Sequence, residues 1–380
     1  MSGKSFIAAM ALLVLVVSGC KEPFDPPAVE APGPYLVVEG VLNAGNGLTT
    51  IRISRTSPLD NTTQVVGETG ANVRVEGRDN FTAQLNMTSS GIYSVSGLNL
   101  VIGNEYRLRI ITNNGKEYLS DYVVARETPP IDSIGFDRNN NGAQMYVNTR
   151  DNSNTTRYYK WEYDETWEIR TFYFSRLKYL GNAKVGVRTV AEDVSTCWKY
   201  GASSSLLIGS TARLTNDVVN KAPLQFFFNG DERLAVRYSV LVRQYALDKG
   251  AYEFYELMKR NTESLGTVFD PQPTEITGNF TCITDPREPV IGYISASTIA
   301  EKRIFVRSSD LGNWPYSQYC PTTLVLNNPD TIRAYFDGNF TQPYDAVVVN
   351  YTDTTHFMAS SAGCVDCTER GGSLAKPSYW

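Results

Sequence analysis

Tyr106-Arg107-Leu108-Arg109-Ile110-Ile111-Thr112 alternates apolar with polar residues, meets Asn113-Asn114-Gly115-Lys116, and resumes as Glu117-Tyr118-Leu119-Ser120. Side chains along a strand point to opposite faces in turn, so a period of two describes one buried and one wet face. The Asn-Gly pair between the runs accepts the positive φ that a tight hairpin needs. The stretch is therefore a β-hairpin, and its neighbours repeat the pattern. Tyr35 to Leu42, Thr49 to Ser54, Ala71 to Glu76, Phe81 to Leu85 and Gly91 to Val95 are short alternating runs divided by turn residues. From residue 35 to 128 this spacing predicts a β-sandwich, and Pro129-Pro130 marks its end.

The remainder, 129–380, is larger and also strand-rich. Ala143 to Thr149, Tyr158 to Ile169, Phe226 to Phe228 and Arg237 to Tyr245 read as strands. One segment departs from the pattern: Leu247, Ala251, Phe254, Tyr255 and Met258 fall at helical spacing behind Asp248, a good N-cap, with Gly266 as a stop. The expectation is a mainly β protein: an N-terminal sandwich, then a β-rich domain with one amphipathic helix over about 248–264 and a cysteine-containing tail. The run from Gly70-Ala71-Asn72-Val73 through Gly91-Ile92-Tyr93 to Gly103-Asn104-Glu105-Tyr106 resembles immunoglobulin-like and transthyretin-like or carboxypeptidase-regulatory-like sandwiches. That resemblance implies a module that binds or spaces.

Length and composition agree. The 380 residues suggest about two domains. With 35 Lys+Arg against 40 Asp+Glu the net charge is -5, which excludes a general nucleic-acid binder, since phosphate neutralisation needs concentrated cations. A single histidine, His356, excludes multi-histidine metal sites. No metal or cofactor is expected.

The start of the chain reads as an address. Lys4 precedes an apolar run from Phe6 to Val17 that is too short to span a bilayer. It ends in Val17-Ser18-Gly19-Cys20, which resembles a bacterial lipobox. Residues 1–19 are thus expected to be a lipoprotein signal peptide and Cys20 the acylated N-terminus, carrying more than one chain as stable anchoring requires. Residues 20–34, with five prolines from Lys21 to Pro34, read as an extended tether. Glu22 and Asp25 resemble the acidic signal that sends Bacteroidota lipoproteins to the cell surface in preference to the periplasmic face.

With Cys20 lipidated, Cys197, Cys282, Cys320, Cys364 and Cys367 remain. An exported chain meets an oxidising compartment, so bridges are the default, and five thiols allow two with one left over. Cys364-Val365-Asp366-Cys367 also has the spacing of a redox pair or half a zinc site. Its Gly-rich surroundings, rather than a strand-to-helix turn, argue against a redox pair, and a zinc site would need further ligands from Cys197, Cys282, Cys320 or His356. Bridges that pin the tail through Cys364 or Cys367 are expected; connectivity stays open.

No residue pattern in the sequence makes a convincing catalytic constellation. Ser203-Ser204-Ser205 follows Gly201 but forms no nucleophile elbow. Asp353, His356 and Ser360 could be drawn as a triad, and Asp164/Glu165 or Asp231/Glu232 as a glycosidase pair. Adjacent carboxylates in strands point to opposite faces, and none of these groupings is expected to act. Trp161, Tyr163 and Trp167 share one strand face and, with Phe172 and Phe174 nearby, are candidate rings for stacking on sugars; the alternative use is a buried sheet face.

Taken together, the lipobox, Leu36-Val37-Val38-Glu39-Gly40, Thr196-Cys197-Trp198, Ala251-Tyr252-Glu253-Phe254-Tyr255, Gly278-Asn279, Pro289-Val290-Ile291-Gly292 and the ending Cys364 to Trp380 resemble the Bacteroidota lipoproteins of domain-of-unknown-function family 4249. The resemblance implies an outer-membrane lipoprotein often encoded beside a TonB-dependent receptor, with no catalytic residues to transfer. Asp-Ser-Ile and Asp-Thr triplets at Ser133, Thr331 and Thr354 resemble the O-glycosylation signal of that phylum. The expected function is a non-enzymatic accessory or ligand-capture subunit of a TonB-dependent transporter. The alternative is a surface glycan-binding or glycan-cleaving lipoprotein.

Overall fold

A computed structural model describes residues 34–57, 65–263, 276, 278–338, 340–350 and 353–380. The signal peptide, Cys20, most of the tether and Gly266 lie outside the described residues. The protein is mainly β, as the alternation predicts.

In the hairpin that opened the reading, Tyr106, Leu108, Ile110 and Tyr118 are at most 1 % exposed. The strands are Glu105–Ile111 and Glu117–Ser120. Gly115 takes φ +80° in the turn between them, where a side chain would be strained. On the wet face Arg107 and Arg109 reach Glu76 at 2.7 and 3.2 Å, and Arg109 reaches Glu117 at 2.7 Å. Burial opposes ionisation of Glu76, but the two guanidiniums overcome it and hold its pKa below the usual carboxylate value. Such half-buried ladders at the surface fix register more than they stabilise; the core of this sandwich does the latter.

The first sandwich departs from the expected boundary at 128. Residues 280–297, expected in the second domain, return to complete the first. Phe280–Cys282 pairs with Glu117–Ser120, and Val290–Gly292 and Ser295–Ser297 both run parallel to Leu36–Asn43. The reason lies in two glycines and an asparagine. At Gly292 (φ +147°) a Cβ would sit 2.2 Å from the Val38 carbonyl oxygen, and at Gly278 it would meet the Gly292 carbonyl oxygen at 1.5 Å. Between them the buried Asn279 side chain accepts from Ile294 N–H (2.9 Å) and donates to Ile294 C=O (3.0 Å), copying a strand partner.

The second sandwich faces one sheet, Ile131–Asn139, Gly142–Asp151 and Asp217–Phe228, against another built on Thr196–Ala202, Tyr158–Arg170, Arg237–Leu247 and Ile299–Arg307. Leu207–Ser210 adds to the end of Tyr158–Arg170. Buried Gln244 ties the layers together. It accepts from Trp161 Nε1 (2.8 Å) and donates to Thr149 Oγ1 (3.0 Å) and to the Pro129 carbonyl (2.8 Å), so the domain junction hangs on a satisfied core amide.

The helix is Lys249–Glu263, with Asp248 Oδ1 accepting from Ala251 N–H at 2.8 Å as its cap. The sequence reading of one helix is incomplete. Pro329–Phe336 is a second, opened by Asn328 as N-cap and Pro329 at the first turn, and Ala362–Val365 is a single turn. The former covers a three-stranded sheet, Thr323–Leu326, Asp353–Ser361 and Thr341–Val349. Among the described residues no helix is long and apolar enough to cross a membrane.

Candidate functional site

Strand parity decides what the aromatic stretch Tyr158–Arg170 does. Its odd-numbered side chains point inward: Trp161 is 2 % and Tyr163 5 % exposed, and both belong to the core of the second sandwich. Trp167 packs against the same core, half-buried. The candidate sugar-stacking rings are therefore core residues, because the inner layer needs their volume. Phe172 and Phe174 are exposed, beyond the end of the strand.

The even-numbered residues, of which the sequence singles out only Asp164, build a cleft. Lys160, Glu162 and Asp164 stand in register with Tyr245, Arg243 and Leu241, and these with Ile299, Glu301 and Arg303. This outer sheet face meets Glu39, Val41 and Asn43 of the first sandwich, Ser203-Ser204-Ser205, Tyr293, and Phe254, Tyr255 and Met258 of the helix around a cavity of about 1080 Å³. Alternation carried the signal: the same period that buries Trp161 presents its neighbours to the cleft.

The charges of the cleft are matched. Lys160 Nζ lies 2.7 Å from Glu162 Oε1, and Tyr245 Oη donates to Glu162 Oε2 at 2.9 Å. Lys160 also lies over the rings of Tyr255 (4.8 Å) and Tyr245 (5.5 Å). Burial drives the Lys160 ammonium toward neutrality, but Tyr255 and Glu162 outweigh it and its pKa is raised. Burial opposes the Glu162 carboxylate, and Lys160 overcomes that and lowers its pKa. Arg243 is bracketed by Asp164 and by Glu301 at 3.0 Å; the Asp164 bond, more than its burial, sets its pKa above the ordinary value. At the rim Glu39 and Arg52 pair loosely at 3.9 Å. Each ionised group lining the cleft thus has an ionic partner, which suits holding a polar ligand better than moving protons.

The other sequence candidates resolve as structure. Cys197–Cys367 and Cys320–Cys364 are bridged, and Cys282 is the leftover thiol, buried in the first sandwich. The tail is pinned through both Cys364 and Cys367, to different partners, so the pair is not itself a bridge. Among the described residues no group of three metal-binding side chains forms. Ser360 Oγ donates to the Pro321 carbonyl at 2.8 Å, away from any role with His356 or Asp353 along its strand. Asp164 and Glu165 point to opposite faces: Glu165 is buried, 3.1 Å from Arg233 and 2.8 Å from the Tyr238 hydroxyl. Asp231 caps the turn Glu232–Leu234, and Glu232 pairs with Lys199 (2.9 Å) and Arg370. Ser133 is exposed, while Thr331, in the second helix, and Thr354 are half-buried.

Residues 21–303 match the family described as Domain of unknown function (DUF4249). The chain belongs to that family. In this DUF4249 chain the match takes in the first sandwich, the helix, the cleft and the second sandwich as far as the middle of Ile299–Arg307, and stops before the segment from Cys364 to Trp380. No curated protein matches. Among solved structures, a two fibronectin type-III domain segment from chicken tenascin is 11 % identical, covering 57 % of this chain and 93 % of its own, with a TM-score of 0.17.

Proposed function

We propose that this protein is a lipid-anchored outer-membrane protein of the Bacteroidota kind, acting as a non-enzymatic accessory or ligand-capture subunit of a TonB-dependent transporter. The observation that carries the reading is the cleft between the two sandwiches, roomy enough for a small polar ligand and lined by charges that are already paired. Val17-Ser18-Gly19-Cys20 and the proline-rich stretch behind it support the anchor and a cell-surface position. The features that suggested glycan binding or cleavage, the ring face and the acidic pairs, are used in packing and ion pairing.

Two measurements test the proposal. Metabolic labelling with an alkyne fatty acid should mark the native chain and leave a Cys20→Ser variant unmarked; a labelled variant refutes the anchor. Affinity capture of the full chain from mildly solubilised native membranes should bring down a barrel protein of the TonB-dependent class. Capture of no barrel at any mild detergent condition refutes the accessory role.

A further inference from the structure

The outer sheet face that floors the cleft continues beyond it, and there the chain covers itself. After Cys367 the backbone crosses the strand Thr196–Ala202 by one antiparallel bridge, Ser373 with Trp198 (2.8 and 2.9 Å). From Leu374 to Trp380 it forms no strand. Two rings hold its end. Tyr379 stacks on Arg303, whose guanidinium is 3.8 Å from the ring centroid, and its hydroxyl meets Thr166 Oγ1 at 2.7 Å. Trp380 lies on Arg237 (5.0 Å), which is also 4.4 Å from Phe305, so the guanidinium touches two aromatic rings that also meet each other. Trp380 Nε1 donates to Glu168 at 3.3 Å, and its ring meets Phe305 and Trp198 edge-on.

Three properties make this more than a packed terminus. Ladder pairing is confined to the Ser373 bridge, and the remaining contacts are individually weak cation–π, ring and hydrogen-bond contacts. The slot is also not fully used. Trp198 Nε1 and Arg237 Nε are buried and have no hydrogen-bond partner among the described residues, an arrangement that favours an occupant bringing an acceptor to them. Finally, the slot is one residue row from the cleft: Thr166, Ser239 and Phe305 lie beside Asp164, Leu241 and Arg303 in the same register.

We propose that the slot formed by Trp198, Arg237, Arg303 and Phe305 is a recognition site for a peptide that presents adjacent aromatic residues from a turn, as Pro377 to Trp380 does here. The chain's own Tyr379-Trp380 fills it in the structure, and a competing segment of the same chemistry takes it by displacing them. The guanidiniums supply the ring faces' partners, and Thr166 and Glu168 read the ring polar atoms. This inference stands independently of the transporter reading.

The test uses a fluorescently labelled heptapeptide, LAKPSYW, and anisotropy on detergent-purified protein. A chain ending at Ser373 should bind it saturably. The uncut chain should bind at least about tenfold more weakly, because its own tail competes at an effective concentration on the order of millimolar. Arg237→Ala in the shortened chain should abolish binding, and the peptide LAKPSAA should not bind. Should the shortened chain fail to fold, a full chain with Tyr379→Ala and Trp380→Ala keeps every cysteine and the Ser373 bridge, and should gain the same binding. Absence of saturable binding to a folded variant, equal binding to the uncut chain, or equal binding of LAKPSAA each overturns the proposal.

Discussion

The first sandwich and the C-terminal sheet are held together by different means. Among the described residues the sandwich core has twenty-three buried apolar members, while the sheet Thr323–Leu326, Asp353–Ser361, Thr341–Val349 and its helix share five. Both disulfides attach to the small unit or its flank, and the one free thiol among the described residues, Cys282, lies in the large one. A unit with so small a core buries too little to offset its chain entropy, and covalent links remove part of that cost. Bridges appear where burial runs out.

The largest expected effect breaks that comparison directly. Replacing Cys197, Cys320, Cys364 and Cys367 by Ser should cost about 2–5 kcal/mol per bridge, and the loss should be local. Hydrogen exchange should show residues 320–361 unprotected while Glu105–Ile111 keeps its protection; unchanged protection of 320–361 would show that its five-residue core suffices. Next comes Trp161→Ala, expected to cost about 3–5 kcal/mol because it empties a fully buried site. A variant of unaltered stability in urea would place the ring on the surface after all. Asp248→Ala should remove about 1 kcal/mol by uncapping the helix, read as a drop in denaturation midpoint with unchanged slope.

The smallest effect concerns the cleft. Because the Glu162 pKa is lowered in the fold, its ionised form is favoured there. That contribution is present above the ordinary carboxylate pKa and disappears as pH falls through the folded value. Glu162 is partly exposed, so Glu162→Gln should destabilise by less than about 1 kcal/mol near neutrality, and the difference from wild type should shrink on acidification. A difference that grows toward acid would contradict the ion pair.

The same contrast explains what could be read in advance. Strands of the first sandwich were legible because each carries its own alternation and its own turn: Val73 and Val75 inward, Asn72 and Arg74 outward, then Gly77. Val290–Gly292 and Ser295–Ser297 were not, since three-residue parallel strands have no hairpin to announce them and their partners lie some 250 residues away. The helix Pro329–Phe336 did carry its Asn-Pro start, but eight residues give too few turns for periodicity to speak. Aromatic spacing along Tyr158–Arg170 identified one face correctly without revealing which way it pointed. The cleft itself joins side chains from near residues 40, 160, 204, 243, 255 and 300, a juxtaposition that only the crossing of two sandwiches creates.

The return of residues 280–297 to the first sandwich has a consequence for how the protein is made. A chain made only as far as residue 128 lacks Phe280–Cys282, Val290–Gly292 and Ser295–Ser297, and with them the partners that flank Leu36–Asn43 and Glu117–Ser120. Those edges stay bare until about three-quarters of the chain has been made, and bare edges invite pairing with other chains. The N-terminal module is thus first in sequence but not first to be finished, and until residues 280–297 arrive its open edges depend on whatever holds incomplete chains apart.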